Sequence, residues 1–202
     1  MISLGVLISG SGSNLQAILD AIAAGRLDAE VAVVISNKED AFGLERARKA
    51  GVEALFVDPK QYETPHDFNE ALRIILQEAG VDYVVMAGYM KLLGTEVLSA
   101  FEQRVLNLHP ALLPSFPGAH GIADALDYGV KFTGVTVHFA DEVFDRGAII
   151  AQEPVAVRED DTVDTLAERI HEVEHRLYPA ALQLLAEDRI RIIGRKVHIS
   201  LR

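Results

Sequence analysis

Apolar runs alternate with amphipathic segments along the first hundred residues of the chain. The short apolar runs predict strands that are buried on both faces, at residues 2–9, 31–36, 54–57 and 83–87. The amphipathic segments predict helices, each followed directly by a glycine, at residues 14–24, 42–50 and 67–79. This regular alternation favours right-handed βαβ units and a parallel sheet.

The pattern changes after Pro114. A strand is predicted before this point, at residues 104–109, and a turn-rich loop follows at residues 115–118. The later segments predict a short helix, two strands, a long helix and a terminal hairpin, at residues 122–128, 133–139, 149–157, 164–186, 189–193 and 196–201. We therefore expect one α/β domain over residues 1–202, with a Rossmann-like, mostly parallel sheet that becomes mixed in the C-terminal half and carries helices on both faces.

The amino-acid composition excludes several kinds of site and partner. Half of the 202 residues are hydrophobic, which is enough for one sizeable core. The absence of cysteine excludes disulfides, thiolate metal sites and cysteine nucleophiles, and it fits a reducing cytoplasm. The net charge of −11 argues against nucleic acids and anionic membranes as partners. No apolar run reaches membrane-spanning length and no signal peptide is evident, so we expect a cytoplasmic protein.

Two polar residues stand at the end of the strand predicted at residues 104–109. Asn107 and His109 are two positions apart, so their side chains lie on the same face before Pro110 stops the strand. An amide donor beside an imidazole can hold a developing oxyanion and move a proton. A distant aspartate, for which Asp145 is the candidate, would orient the imidazole and raise its basicity. The alternative is a polar strand end with a capping asparagine and a histidine that has all its hydrogen bonds.

A loop rich in glycine and serine joins the first predicted strand to the first helix. Its sequence over residues 9–14 is Ser-Gly-Ser-Gly-Ser-Asn. Glycines let backbone approach a ligand, and a helix N-terminus offers free N–H groups and a positive dipole end, so the loop predicts an anion site. Leu15 replaces the third glycine of the dinucleotide fingerprint, and the Gly-Lys-Ser/Thr of a Walker A loop is missing. A lone phosphate therefore fits better than NAD or ATP; the alternative is a tight turn with a serine cap.

Residues 171–175 satisfy the His-Glu-x-x-His pattern of zinc enzymes. Histidines four positions apart share one face of a helix. Catalytic zinc needs a third ligand, however, for which the downstream sequence offers no convincing candidate, and Pro179 would kink the helix close by. We therefore expect no metal here.

Several segments together resemble the phosphoribosylglycinamide formyltransferase family, the folate-dependent enzymes of purine synthesis. They occur in order at residues 9–17, 36–38, 41–47, 87–93, 107–118, 133–139, 145–147 and 174–179. The stretch from Asn107 to Gly118 and the stretch from Thr133 to Gly147 resemble the wider formyltransferase signature. The last segment resembles a late helix of the family, which gives the two histidines of the zinc pattern another assignment. Because the resemblance covers nearly the whole chain, it is more specific than any single motif.

The resemblance implies a role for each matched residue. The catalytic group would be Asn107, His109 and Asp145. The residues that would bind the phosphate, ribose or amine of a ribonucleotide are Gly12, Ser13, Asn14, Gly88, His171 and Glu174. The residues that would hold the folate are Met90, Lys91, Leu92, Leu93, Asn107, Asp141, Glu142, Val143, Phe144 and Asp145. Residues 1–100 would then form a phosphate-binding half, and residues 101–202 a catalytic and folate-binding half.

The implied reaction moves the formyl group of 10-formyltetrahydrofolate to the amine of glycinamide ribonucleotide, without a metal. Asn107 and a protonated His109 would meet the charge on the formyl oxygen, and Asp145 would favour the imidazolium. His138 is either a neighbour of this group or a plain strand histidine. The partners would be these two small molecules, and the chain would act as a monomer or homodimer. Two alternatives are a 10-formyltetrahydrofolate hydrolase, which needs no phosphate loop, and a phosphate-ligand-binding module, which needs no catalytic group.

Overall fold

Nine strands form one sheet in the computed structural model of the chain, which describes residues 1–143 and 145–200. The strands are β1 Ile2–Ile8, β2 Ala29–Ser36, β3 Glu53–Phe56, β4 Tyr83–Met86, β5 Val105–His109, β6 Phe132–Phe139, β7 Ile149–Ala156, β8 Ile190–Ile193 and β9 Lys196–Ile199. The helices in this part of the chain are α1 Ser13–Ala23, α2 Phe42–Lys49, α3 Pro65–Glu78, α4 Thr95–Ala100, α5 Gly121–Tyr128 and α6 Val163–Ala186. The sequence pattern missed α4 and a short 3-10 turn at Pro59–Gln61.

The order of the strands confirms a mostly parallel sheet that becomes mixed in its second half. The order is β3-β2-β1-β4-β5-β6-β7-β9-β8, and the first five strands in this order are parallel. Strand β6 runs antiparallel to both β5 and β7, which is the change of direction expected at residues 133–139. The terminal hairpin pairs β8 with β9 and joins the sheet beside β7. The α/β fold class is therefore confirmed.

Helices cover both faces of the sheet because its central strands are apolar on both sides. In β1, Leu4, Val6 and Ile8 pack into a cluster with α1, α2 and α6, while Leu7 faces a second cluster with α3 and α4. Successive side chains of a strand point to opposite faces, so one apolar strand serves two cores. The parallel half of the sheet is thus buried between two helical layers.

The functional loops emerge where the strand order reverses. The chain moves from β1 outward to β2 and β3, and then returns to place β4 on the other side of β1. At such a switch point the loops after neighbouring parallel strands diverge and leave a crevice at the carboxyl ends of the strands. The loop after β1, the loop after β4 and the end of β5 therefore border the same space.

Helix α6 is anchored to the sheet by a fully buried tyrosine. The hydroxyl of Tyr178 lies 3.0 Å from the carbonyl oxygen of Met86 in β4 and 3.1 Å from that of Leu106 in β5. Pro179 follows inside the helix, which continues to Ala186. The anchor fixes the residues one turn earlier, including Glu174, over the same crevice. In the described part of the chain, α6 and the other helices are all too short or too polar to cross a membrane.

We predict that Thr162→Ala destabilises the protein by about 1 kcal/mol. The hydroxyl of Thr162 caps α6 by accepting a hydrogen bond from the backbone N–H of Thr165, and the side chain of Thr165 bonds back to the N–H of Thr162. Urea unfolding, followed by circular dichroism, measures the change. Ser99→Ala, at an exposed position inside α4, is the matched control and should change stability by a few tenths of a kcal/mol at most. Equal losses in the two variants would contradict the assigned cap.

Candidate active site

A cleft of about 360 Å³ opens at the carboxyl ends of β1, β4 and β5. It brings together predicted residues from both halves of the chain, namely Gly12, Ser13, Asn14, Gly88, Met90, Asn107, His109, Asp145, His171 and Glu174. A smaller cavity of about 30 Å³ adjoins it and shares Asn107 and Asp145 with it. Polar side chains that are distant in sequence therefore face one space.

The predicted folate residues are divided between the two cavities and the surface. Met90 lines the cleft, while Leu92, Leu93 and Asp141 line the smaller cavity. Three others border neither, namely Lys91, Glu142 and Val143. Phe144 lies outside the described residues. Within residues 90–93, Leu92 and Leu93 therefore face the smaller cavity, whereas the charged Lys91 is exposed.

The glycine loop at one end of the cleft is shaped by close backbone packing. Gly12 has φ +70°, and a Cβ built on it would lie 2.6 Å from the Cα of Gly43 in α2. Glycine is therefore required at position 12 by both conformation and space. Ser13 begins α1, and no acidic residue stands in the first turn of that helix. The helix N-terminus is consequently open to an anion at this end of the cleft.

The side chain of Asn14, at the start of α1, turns toward α6. Its amide nitrogen donates to Oε2 of Glu174 over 2.9 Å, and both side chains are buried. This hydrogen bond commits one of the two amide hydrogens of Asn14 to Glu174. Burial raises the pKa of Glu174, although the hydrogen bond from Asn14 and the charge of His171 oppose the rise.

His109 is buried with a defined proton on Nε2. That nitrogen lies 2.7 Å from the carbonyl oxygen of Phe116, to which it must donate because a carbonyl only accepts. Its Nδ1 faces Oδ2 of Asp145 at 3.5 Å. Burial lowers the pKa of His109 below its usual 6.5, and this effect outweighs the upward contributions of Asp145 and Phe116. A protonated His109 stays a prediction, because Asp145 favours the charged form whereas burial disfavours it.

Asp145 is buried and is surrounded by donors. The backbone N–H of Gly118 donates to Oδ2 over 2.8 Å, and the amide of Asn107 approaches Oδ1 at 3.4 Å. Nε2 of His138 lies 3.6 Å from the same Oδ1. Burial alone would raise the pKa of Asp145, but the contacts with His138, Gly118 and His109 hold it below its usual value. Asp145 is therefore ionised at neutral pH, and its φ of +55° is an uncommon conformation for an aspartate.

His138 is a neighbour of the catalytic group rather than a plain strand histidine. Its Nδ1 donates to the carbonyl oxygen of Phe139 over 2.8 Å, so the neutral ring presents a lone pair on Nε2. That lone pair faces the amide nitrogen of Asn107 at 3.2 Å. The amide of Asn107 is thereby oriented, with its N–H groups toward His138 and Asp145.

Two contributors to the site are backbone groups that sequence reasoning missed. They are the carbonyl of Phe116, which sets the proton of His109, and the N–H of Gly118, which holds Asp145. Every residue carries both groups, so the sequence signals only that the loop is rich in turn residues. Phe116, in this same loop, has a positive φ of +52°.

The zinc pattern does not form a metal site in the described residues. The rings of His171 and His175 lie nearly parallel with centroids 6.3 Å apart. Glu174 between them turns inward to Asn14. In the part of the chain that the structure describes, no group of three or more potential ligand side chains could hold a metal ion.

The chain is similar to known proteins over nearly its whole length. Residues 3–182 match the family model for formyl transferases. The crystal structure of glycinamide ribonucleotide transformylase 1 from Symbiobacterium toebii has a TM-score of 0.97 and 54% identity, over 98% of this chain and 94% of that one. The phosphoribosylglycinamide formyltransferase of Bacillus subtilis is 38% identical over 89% of this chain and 92% of its own length.

Two further relatives differ in length or activity. The trifunctional purine biosynthetic protein adenosine-3 of Gallus gallus is 43% identical over 95% of this chain, but the chain spans only 19% of that protein. A formyltetrahydrofolate deformylase from Pseudomonas syringae has a TM-score of 0.90 at 27% identity, and the chain covers 65% of it. The deformylase is thus a more distant neighbour than the transformylase from Symbiobacterium toebii.

We predict that Asp145→Asn lowers the pKa of His109 further. The substitution removes the negative charge that faces Nδ1 but nearly keeps the shape, so burial acts with less opposition. Titration of His109, followed by NMR in both proteins, measures the shift. Asp141→Asn, in the same segment but exposed, should leave the His109 titration unchanged. An unchanged or higher pKa in Asp145→Asn would rule out the pairing.

Proposed function

The chain belongs to the formyl transferase family, and from this premise we propose that it transfers the formyl group of 10-formyltetrahydrofolate to the amine of glycinamide ribonucleotide in purine biosynthesis. One observation carries the proposal: a single cleft joins an open helix N-terminus to the group of Asn107, His109 and Asp145. If a phosphate binds at the helix N-terminus and an acyl group binds at the group of polar side chains, the substrate that accepts the acyl group must carry both a phosphate and a nucleophile.

The ribonucleotide fits the end of the cleft formed by α1 and α6. Its phosphate would bind the backbone N–H groups at residues 12–14, where the helix dipole favours negative charge. Glu174 and His171 line the cleft from α6 and would meet the ribose or the glycinamide part. Gly88 has φ +76° and gives the opposite wall a close backbone approach. This orientation sends the amine toward His109.

The folate fits the other end, where the smaller cavity begins. Its pterin would lie against Leu92, Leu93 and Asp141, with Asn107 and Asp145 at the boundary between the two cavities. The formyl group on N10 would then lie beside Asn107 and His109. We include Met90, Lys91, Glu142, Val143 and Phe144 in the folate-binding segments by resemblance alone.

The chemistry follows from the protonation states of the site. The neutral amine attacks the formyl carbon, and negative charge develops on the formyl oxygen. The contacts of the Asn107 amide, at 3.2 and 3.4 Å, are longer than the usual separation of about 2.9 Å, so little is lost when it turns to donate to that oxygen. No covalent bond between enzyme and substrate is needed.

The proton of the amine needs a carrier to N10 of the folate. Nε2 of His109 already carries a proton, which it donates in a hydrogen bond to the carbonyl oxygen of Phe116. Nδ1 is therefore the atom that accepts the proton of the amine. The ionised Asp145 at 3.5 Å stabilises the imidazolium formed in this step. The proton is then delivered to N10 as its bond to the formyl carbon breaks. A histidine that is neutral at rest, with a charged partner beside it, suits both halves of this transfer.

The remaining assignments concern partners and place. We propose that the protein acts in the cytoplasm as a monomer or homodimer, with no nucleic acid or membrane partner. A chain without cysteine and with a net charge of −11 supports this assignment.

We predict that purified protein consumes 10-formyltetrahydrofolate rapidly only when glycinamide ribonucleotide is present. The amine is the nucleophile in the proposed reaction, and water has no phosphate to bind at the glycine loop. The loss of the formyl group is followed by absorbance, with and without the acceptor. Activity should persist in EDTA, since no described cluster holds a metal. Equal consumption of folate without the acceptor would favour the hydrolase, and loss in EDTA that zinc restores would revive the metal site.

We predict that Ser13→Asp raises the KM for the ribonucleotide on the order of 10- to 100-fold, which corresponds to the loss of charge-assisted hydrogen bonds. A carboxylate in the first turn of α1 repels the phosphate, yet it stabilises the helix through the dipole, so the fold is preserved. Steady-state kinetics with each substrate varied in turn measures the effect, and the KM for the folate should change little. Ser13→Asn, which is uncharged, is the control. A KM unchanged by Ser13→Asp would place the phosphate elsewhere.

A further inference from the structure

One polar contact buried in the cleft has no part in the proton transfer. The amide of Asn14, at the start of α1, donates to Oε2 of Glu174, in the middle of α6, across 160 residues of sequence. Both residues are more than nine-tenths buried, and both line the main cleft. Within the described residues, the bond engages Oε2 of Glu174 and no donor is found for Oε1, while Oδ1 of Asn14 is fully buried without a partner. The contact therefore leaves two acceptor atoms without donors.

The geometry makes Glu174 depend on Asn14. A carboxylate this deeply buried is costly unless donors satisfy it, and the amide of Asn14 is its hydrogen-bond donor among the described side chains. His171, from the same helix, supplies a favourable charge. The hydroxyl of Tyr178 donates to strand carbonyls instead. Across the cleft, β5 presents the mostly neutral His109, and the segment after β6 presents the negative Asp145.

We propose that Asn14 is a positioning residue for the ribonucleotide: its amide fixes Oε2 of Glu174 so that Oε1 accepts hydrogen bonds from the hydroxyl or amine groups of the ligand. The proposal rests on the proposed function and deepens it. Asn14 thus acts through Glu174, and its side chain has a different task from the backbone at residues 12–14. It couples the phosphate end of the cleft to the wall formed by α6.

The test compares Asn14→Leu, which is similar in size but lacks the donor, with Asn14→Asp. In Asn14→Leu, the pKa of Glu174 rises because an opposing hydrogen bond is gone. The acidic limb of kcat/KM for the ribonucleotide therefore moves to higher pH, with a loss on the order of 10- to 100-fold at neutral pH. In Asn14→Asp, the two carboxyls share a proton that serves as the donor, so kcat/KM falls as pH rises and that proton leaves. The KM for the folate should stay near the wild-type value in both.

A matched control lies on the same helix. Gln183 of α6 accepts a hydrogen bond from the backbone N–H of Asp28 over 2.8 Å, away from the cleft. Gln183→Leu removes a tie between elements without touching Glu174, so its pH profile should match the wild type. If Asn14 were only such a tie, its two variants would lose activity equally at every pH, and that outcome would overturn the proposal.

A measurement independent of turnover separates this proposal from the proposed function. Carbon-13 NMR titration of the Glu174 carboxyl, assigned by comparison with Glu174→Gln, should give a higher pKa in Asn14→Leu than in the wild type. An unchanged pKa overturns the positioning role even in an active enzyme. Conversely, if Asn14→Leu raises the pKa of Glu174 but the wild-type protein transfers no formyl group to the ribonucleotide, only the proposed function is contradicted. If Asn14→Leu fails to fold, the opposite pH trend in Asn14→Asp decides.

Discussion

The ionised carboxylate of Asp145 is shielded from water, and the catalytic end of the cleft is arranged to satisfy it. Its donors come from separate parts of the chain: the amide of Asn107 at the end of β5 and the backbone N–H of Gly118 in the loop after Pro114. A buried charge without partners costs several kcal/mol, so each donor must stay in place to stabilise the carboxylate. The loop conformations with positive φ at Phe116 and Asp145 are part of this arrangement.

The same carboxylate bears on His109, whose charged form Asp145 favours and burial disfavours. Its ring lies between the carbonyl oxygen of Phe116, which accepts a hydrogen bond from Nε2, and Asp145, which faces Nδ1. Burial disfavours the imidazolium, whereas the nearby carboxylate would stabilise it in the proposed proton transfer. The field that serves the reaction is thus built into the folded chain before substrates arrive.

Much of the fold and part of the site could be predicted from the sequence because they depend on local periodicity. The apolar runs predicted the strands, and the two-residue spacing of Asn107 and His109 predicted their common face. Helix α4 was missed because six residues carry too little periodicity. The inward turn of Asn14 could not be predicted, since it depends on where α6 crosses α1. Nor could the lowered pKa of His109, because burial is a property of the assembled core.

The contact between Gly12 and Gly43 extends the functional site beyond the residues that line it. Gly43 does not border the cleft, yet a Cβ there would lie 2.4 Å from Ile8 and 3.2 Å from the Cα of Gly12. A side chain at position 43 would therefore displace the glycine loop from behind. A substitution at Gly43, which is buried in α2, therefore acts on the binding loop as a substitution within the loop would. Positions 12 and 43 are constrained together, because a side chain at either one would press on the backbone of the other.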